Sequence, residues 1–141
     1  MHISSQKPRV AGSWGQKLYL GMVGLILICI VTEGLLIGPS LFAATHWGRA
    51  IHGYLGVLIS LLALALPVVS WLVRLSRRTT IWNAVLFVIA LIEVIAGALG
   101  RRTPFLAALH PANALLMSGL TILLLIQGWQ MLREQARTEP F

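Results

Sequence analysis

The chain has 141 residues, of which 57% are hydrophobic and only 11% are charged, and its formal net charge is +7. A soluble domain averages about a quarter charged residues, so this composition excludes an ordinary soluble protein and indicates a single-domain integral membrane protein. There is one cysteine, Cys29, which excludes an internal disulfide. The sequence has no Asp, no glycine-rich phosphate loop, no Cys-x-x-Cys pair and no Ser-His-Asp set, which argues against a metal-dependent phosphoryl enzyme.

The first predicted element follows a polar segment, residues 1–13, that we expect to be a cytoplasmic tail. The apolar run at 14–37 exceeds the roughly 20 residues that a helix needs to cross the bilayer core. We therefore interpret it as a retained span and not as a signal peptide. Gly38-Pro39-Ser40 is expected to end this helix, because proline cannot continue it and glycine suits the C-cap.

The second predicted span begins near Thr45, which is a favourable N-cap residue, and continues to about Val73. The basic segment 74–78 is interpreted as a short cytoplasmic turn. The third span then covers roughly 80–99, and Gly100 ends it.

The fourth predicted span begins at Pro104, where Thr103 is the N-cap and proline suits the first helical position. It continues to about Leu132, and residues 133–141 are expected to be a second cytoplasmic tail. Pro111 is expected to kink this helix, and no other span is expected to contain a proline break.

Four spans with short connections predict an all-α membrane protein, an up-down-up-down four-helix bundle over residues 14–132. The basic residues divide unevenly between the two predicted sides of the membrane. The eight on one side are Lys7, Arg9, Lys17, Arg74, Arg77, Arg78, Arg133 and Arg137, and the three on the other are Arg49, Arg101 and Arg102. This bias predicts cytoplasmic termini in a bacterial inner membrane. The positive charge is thus attributed to topology and not to nucleic-acid binding.

Four polar residues inside the spans are expected to lie at one depth: Glu33, His52, Glu93 and His110. They form a weak internal repeat, with 19 residues from Glu33 to His52 and 17 from Glu93 to His110. Ionisable side chains within a membrane usually face a bundle interior, a cavity or a cofactor. Two histidines at matched depth predict axial ligation of haem iron, so haem b is the predicted cofactor.

Small residues and arginines are expected to surround the predicted haem. Gly56 and Ala114 lie one turn after the histidines, where they leave a slot for a flat macrocycle or permit close helix packing. Arg49, Arg101 and Arg102 are expected at the outer rim. Their guanidinium groups suit haem propionates, although interfacial anchoring by snorkelling is an alternative role.

The two glutamates, Glu33 and Glu93, are interpreted as hydrogen-bond partners of the ligating imidazoles or as a proton relay. The alternative is that each bonds the backbone of a neighbouring helix or Arg49. A di-metal site is disfavoured, because such bundles carry Glu-x-x-His motifs and more carboxylates. His46 is interpreted as a solvated residue that is a conceivable substitute ligand.

The chain resembles one four-helix half of a haem A synthase, or a small cytochrome of the b561 kind. The resemblance depends on His52 near the start of the second helix, on segment 107–110 (AALH) and on segment 91–97 (LIEVIAG). In haem A synthases each half has a histidine on its second and fourth helices, which implies haem ligation by His52 and His110. Those enzymes have eight spans, an external cysteine pair in many members, and a catalytic glutamate where this chain has Arg49. The resemblance therefore implies haem binding and not haem A synthesis.

Three functions follow from these patterns. The first is one-electron transfer by a b-type haem near the outer face, with quinone or a larger respiratory or photosynthetic membrane complex as partner. The second is a cofactor-free accessory or scaffold subunit in which the polar residues form an internal hydrogen-bond network. The third, a transporter or channel component, is disfavoured because only the fourth span is expected to contain an internal proline break. An electron-transfer or accessory protein is favoured over a stand-alone enzyme.

Overall fold

The computed structural model describes residues 13–42, 47–100 and 102–138, and all of the regular secondary structure in these ranges is α-helical. The helices are α1 (Ser13–Phe42), α2 (Trp47–Leu72), α3 (Arg77–Leu99) and α4 (Pro104–Thr138). Each of the four is long and apolar enough to cross a membrane. The prediction of an all-α protein with four candidate membrane-spanning helices is confirmed.

The four helices pack as a square. α1 and α3 each contact α2 and α4, whereas the diagonal pairs, α1–α3 and α2–α4, make no close backbone approach within the described ranges. The interior is filled by fully buried side chains that include Val23, Ile26, Ile59, Leu66, Leu86 and Leu124. Many large apolar side chains on the outer faces are exposed. Helices that are apolar on every face are typical of membrane spans, because their outer surface contacts lipid.

Contacts near the helix ends show which ends lie together. A Cβ atom built on Gly15, at the start of α1, would lie 2.7 Å from Cγ1 of Val73, just after α2. A Cβ atom built on Gly128, late in α4, would lie 3.4 Å from Cε1 of Tyr19, early in α1. The start of α1 therefore lies at the same end of the square as the ends of α2 and α4.

Prolines lie inside three of the helices: Pro39 in α1, Pro67 in α2 and Pro111 in α4. The prediction that segment 38–40 ends the first helix is therefore wrong, and each of these helices continues without a break through its proline. Proline in a helix removes one backbone donor, whereas an unwound segment in an apolar environment leaves several backbone groups unpaired.

α3 and α4 are longer than the sequence predicted. α3 begins at Arg77, three residues early, because Ser76 is its N-cap and its Oγ accepts a hydrogen bond from the Thr79 N–H at 3.1 Å. α4 continues to Thr138 and so includes most of the predicted C-terminal tail. The predicted start of the second helix at Thr45 lies outside the described residues.

The turn between α2 and α3 has the hydrogen bonds of a Schellman motif. The N–H of Leu75 donates to the Ser70 carbonyl at 2.8 Å, and the N–H of Arg74 donates to the Trp71 carbonyl at 3.1 Å. Arg74 occupies the left-handed position with φ of 57°. Glycine is usual at this position, because a left-handed conformation costs an L-residue roughly 1–2 kcal/mol. Arg74 therefore carries local strain that glycine would relieve.

Candidate functional site

The four polar side chains singled out in the sequence lie together in the interior of the bundle. His52 and His110 occupy the second turn of α2 and of α4. Their imidazole rings face each other along one diagonal of the square, with centroids 5.8 Å apart and planes inclined by 80°. Glu33 of α1 approaches His52, and Glu93 of α3 approaches His110. Each histidine thus has a carboxylate beside it from an adjacent helix.

The pair formed by Glu93 and His110, the second half-site, is held by several contacts. His110 Nδ1 lies 3.1 Å from Glu93 Oε1 and 3.2 Å from the Glu93 backbone oxygen. Asn113, one turn further along α4, donates from Nδ2 to Glu93 Oε2 at 2.8 Å and to the Ile89 carbonyl at 2.9 Å. A Cβ atom built on Gly97 would lie 3.2 Å from His110 Cε1, so glycine leaves room for the ring.

The pair formed by Glu33 and His52, the first half-site, is looser. His52 Nδ1 lies 3.7 Å from Glu33 Oε1, a separation too long for a hydrogen bond. Both atoms are buried and have no hydrogen-bond partner among the described residues. The position that corresponds to Asn113, three residues after the histidine, is Leu55.

A cavity of about 490 Å³ adjoins both half-sites. Cofactor and small-molecule sites generally measure about 300–1,000 Å³, so this volume is typical of one. Both glutamates and both histidines line the cavity, together with small and apolar residues from all four helices. Because each Nδ1 is the ring nitrogen next to a carboxylate, Nε2 is the nitrogen of each ring that remains for a ligand.

The predicted arginines are distributed differently around this cavity. Arg49 is among the residues that line it, and Arg102 is exposed without lining it. Arg101 and His46 lie outside the described residues. Arg49 is therefore the arginine that the structure brings to the cavity wall.

The small residues beside the histidines differ in part from those singled out in the sequence. Gly56 lines the cavity, and a Cβ atom built on it would lie 3.3 Å from Glu33 Oε1. Ala114 does not line the cavity, whereas Gly97 does. The sequence analysis gave Gly97 no role in the site, although it lies four residues after Glu93 and hence on the same helix face. The contact of Asn113 with Glu93 was also missed.

The described residues provide few ligands for a free metal ion. Within the described ranges, no three His, Cys, Asp or Glu side chains are grouped so that they could hold an ion. A haem iron differs, because the porphyrin occupies four coordination positions and the protein supplies only axial ligands.

A second buried polar contact lies at the opposite end of the bundle. Tyr19 Oη of α1 donates to Asn83 Oδ1 of α3 at 3.2 Å, and both residues are fully buried. Asn83 Nδ2 and Gln16 Oε1 are buried without a hydrogen-bond partner in the described part of the chain. This contact connects the diagonal pair α1–α3, whereas the two imidazoles face each other along the diagonal α2–α4. The sequence analysis did not predict it.

Comparisons with known proteins return no matching family, no matching characterised protein and no matching solved structure. The resemblance to haem A synthases and to small cytochromes of the b561 kind therefore remains a prediction. The functional inference depends on the geometry of the two half-sites.

Proposed function

We propose that the protein binds haem b in the membrane, with His52 and His110 as the two axial ligands of the iron. The observation that supports this most directly is the 5.8 Å separation of the two imidazole centroids. Two metal–imidazole bonds of about 2 Å on opposite sides of one ion place ring centroids about 6 Å apart. The centroid separation of these nearly perpendicular rings is therefore close to the separation expected for two ligands of one ion.

The surroundings of the imidazoles also favour ligation. A metal-bound histidine usually donates its other ring N–H to a carboxylate or a carbonyl group. Glu93 offers both kinds of acceptor to His110 Nδ1, and Glu33 Oε1 lies near His52 Nδ1. Arg49 lines the cavity, where its guanidinium group would suit a propionate. Haem would supply a one-electron couple, and the residues of this chain would hold and orient it.

We infer an up-down-up-down bundle with both termini in the cytoplasm of a bacterial inner membrane. The support is that the start of α1 lies beside the ends of α2 and α4, together with the basic residues that the sequence concentrates in the regions on that side. The haem site would then be near the outer face. Quinone or a larger respiratory or photosynthetic membrane complex is the proposed redox partner.

Absorption spectroscopy tests the haem proposal. The protein is purified in mild detergent after expression with added haem, and oxidised and dithionite-reduced spectra are recorded. We expect a Soret band and sharp reduced bands in the wild type, and loss of this six-coordinate spectrum in His52→Ala and in His110→Ala. His2→Ala, in the N-terminal segment, is the matched control. A wild-type protein that stays colourless with haem supplied would refute the proposal.

A cofactor-free accessory subunit is the second candidate, and one observation favours it. Glu93 contacts His110 and accepts a hydrogen bond from Asn113 without any added group. The same network would stabilise a purely structural bundle. This function predicts a colourless protein that co-purifies in a stable complex from its native membrane, which mass spectrometry of the purified complex would establish.

A further inference from the structure

Asn113 contacts the second half-site without lining the cavity. Its side-chain amide has two N–H donors, and both have acceptors on α3. One is the Ile89 carbonyl at 2.9 Å, and the other is Glu93 Oε2 at 2.8 Å. The amide thus connects the carboxylate to the backbone of α3 and fixes its orientation.

The orientation of the Glu93 carboxylate determines which of its oxygen atoms lies next to His110 Nδ1. With Oε2 bonded to Asn113, Oε1 lies 3.1 Å from His110 Nδ1. The backbone oxygen of Glu93 lies 3.2 Å from the same nitrogen. A carboxylate and a carbonyl only accept hydrogen bonds, so both favour a proton on Nδ1. A neutral imidazole has a single N–H, and Nε2 of His110 is then unprotonated.

The first half-site has no equivalent arrangement. Leu55 is the residue three positions after His52, and its side chain has no donor with which to hold Glu33. His52 Nδ1 has no hydrogen-bond partner among the described residues. The tautomer of His52 is therefore not fixed by its surroundings.

We propose that Asn113 is a positioning residue that acts through Glu93 to hold His110 in the Nδ1–H tautomer, with the lone pair of Nε2 free for a ligand. The identification of that ligand as haem iron rests on the proposed function. The tautomer itself does not, because it follows from contacts within the protein alone.

Nitrogen-15 NMR of the haem-free protein tests this proposal. The protein is labelled on its histidine rings, kept in detergent micelles at an alkaline pH where imidazoles are neutral, and assigned with single His→Gln variants. We expect His110 to be almost entirely the Nδ1–H tautomer and His52 to be a mixture. In Asn113→Leu the ratio of Nδ1–H to Nε2–H in His110 should fall about tenfold, as expected for loss of a hydrogen bond to a charged group.

Two further variants separate positioning from a general structural role. Ser118→Ala is the matched control, because the Ser118 hydroxyl bonds only the Ala114 carbonyl of its own helix, and it should leave the His110 tautomer unchanged. In a Glu93→Leu background, Asn113→Leu should have no additional effect on the tautomer, since residues that act through one another are not additive. Independent, additive effects of the two substitutions would overturn the proposal.

The nitrogen-15 NMR spectrum of the wild-type protein tests the proposal even if Asn113→Leu does not fold. A predominantly Nε2–H tautomer at His110 would overturn the positioning role of Asn113, whether or not the protein binds haem. A colourless protein whose His110 is in the Nδ1–H tautomer would instead refute the haem proposal and support the role of Asn113. The two proposals therefore fail in distinguishable ways.

Discussion

The two half-sites contain the same pair of residue types in corresponding helices, yet one is held firmly and the other is not. The Glu93–His110 contact is 3.1 Å and the Glu33–His52 contact is 3.7 Å. The helices around them are alike, since Ser60 and Ser118, each eight residues after its histidine, both donate to the carbonyl four residues earlier. The difference is therefore local and arises one turn after each histidine, where only the second half-site has an asparagine.

A Glu–His pair on adjacent helices therefore does not determine its own geometry. The carboxylate has several rotamers, and a third group must select one of them. Asn113 selects the rotamer of Glu93. The corresponding residue of the first half-site is Leu55, which has no donor with which to hold Glu33. If haem binds, His110 is expected to be the fixed ligand and His52 the displaceable one.

The largest expected difference between the half-sites is in the histidines themselves. His110→Ala should abolish haem binding, because it removes the preorganised ligand. His52→Ala should retain part of the haem in a five-coordinate form that binds carbon monoxide. Haem content per protein and carbon monoxide difference spectra measure both effects. Equal haem loss in the two variants would contradict the asymmetry.

Gly97→Leu should reduce bound haem to the background level while the protein still inserts. A side chain there would overlap the His110 ring, because even a Cβ atom lies 3.2 Å from His110 Cε1. Overpacking of this kind costs about 1–3 kcal/mol unless the ring moves. Gly34→Leu is the matched control, since no atom lies within 4 Å of a Cβ built on Gly34. Normal haem content in Gly97→Leu would show that the His110 ring is not confined.

Substitutions of the two glutamates should differ in their effect on haem affinity, but by less than the substitutions of the two histidines. Glu93→Gln should weaken haem affinity about 10-fold or more, as is typical when the partner of a ligating histidine is changed. Glu33→Gln should have a much weaker effect, because Glu33 Oε1 makes no direct hydrogen bond to His52. Titration of the haem-free proteins with haem measures both affinities. A larger effect at Glu33 would reverse the assignment of the fixed half-site.

Tyr19→Phe should lower the free energy of unfolding by about 1–3 kcal/mol, because it leaves Asn83 Oδ1 buried and unpaired. The Glu–His contacts should be unchanged, since both lie at the opposite end of the bundle from Tyr19. Thermal denaturation in detergent measures the stability, and the histidine NMR signals report the half-sites. A change of tautomer at only one histidine would show that the Tyr19–Asn83 contact affects the two half-sites differently.

The smallest effect is expected in the turn that joins the two halves. Arg74→Gly should raise stability by about 1 kcal/mol, because glycine adopts the left-handed conformation without the steric cost. Arg133→Gly is a suitable comparison, as it removes the same charge from a position inside α4 and should destabilise by about 1 kcal/mol. Denaturation midpoints of the two variants should therefore move in opposite directions.

The number and type of helices could be predicted from the sequence, because apolar runs of more than about 20 residues have few alternatives to a membrane-spanning helix. The passage of α1 through Pro39 could not be predicted from local preferences. Those preferences describe helices in water, where an unwound backbone is readily hydrated, and an apolar environment removes that alternative.

The candidate site was predictable only in part. The proximity of Glu33, His52, Glu93 and His110 followed from matched positions within the spans. The contact of Asn113 with Glu93 did not, because it depends on how α4 is rotated about its own axis. Helices that are apolar on every face do not encode that rotation in a simple polar pattern.

The contact between Tyr19 and Asn83 has a mechanical consequence for the distance between α2 and α4. Four rods joined only along the sides of a square can shear into a rhombus without a change in any side. Such shear lengthens one diagonal as it shortens the other, so fixing the length of either diagonal prevents the shear. The Tyr19–Asn83 hydrogen bond connects α1 to α3 across this diagonal at one end of the bundle. By limiting how far α1 and α3 separate, it keeps α2 and α4 from closing together at that end of the bundle.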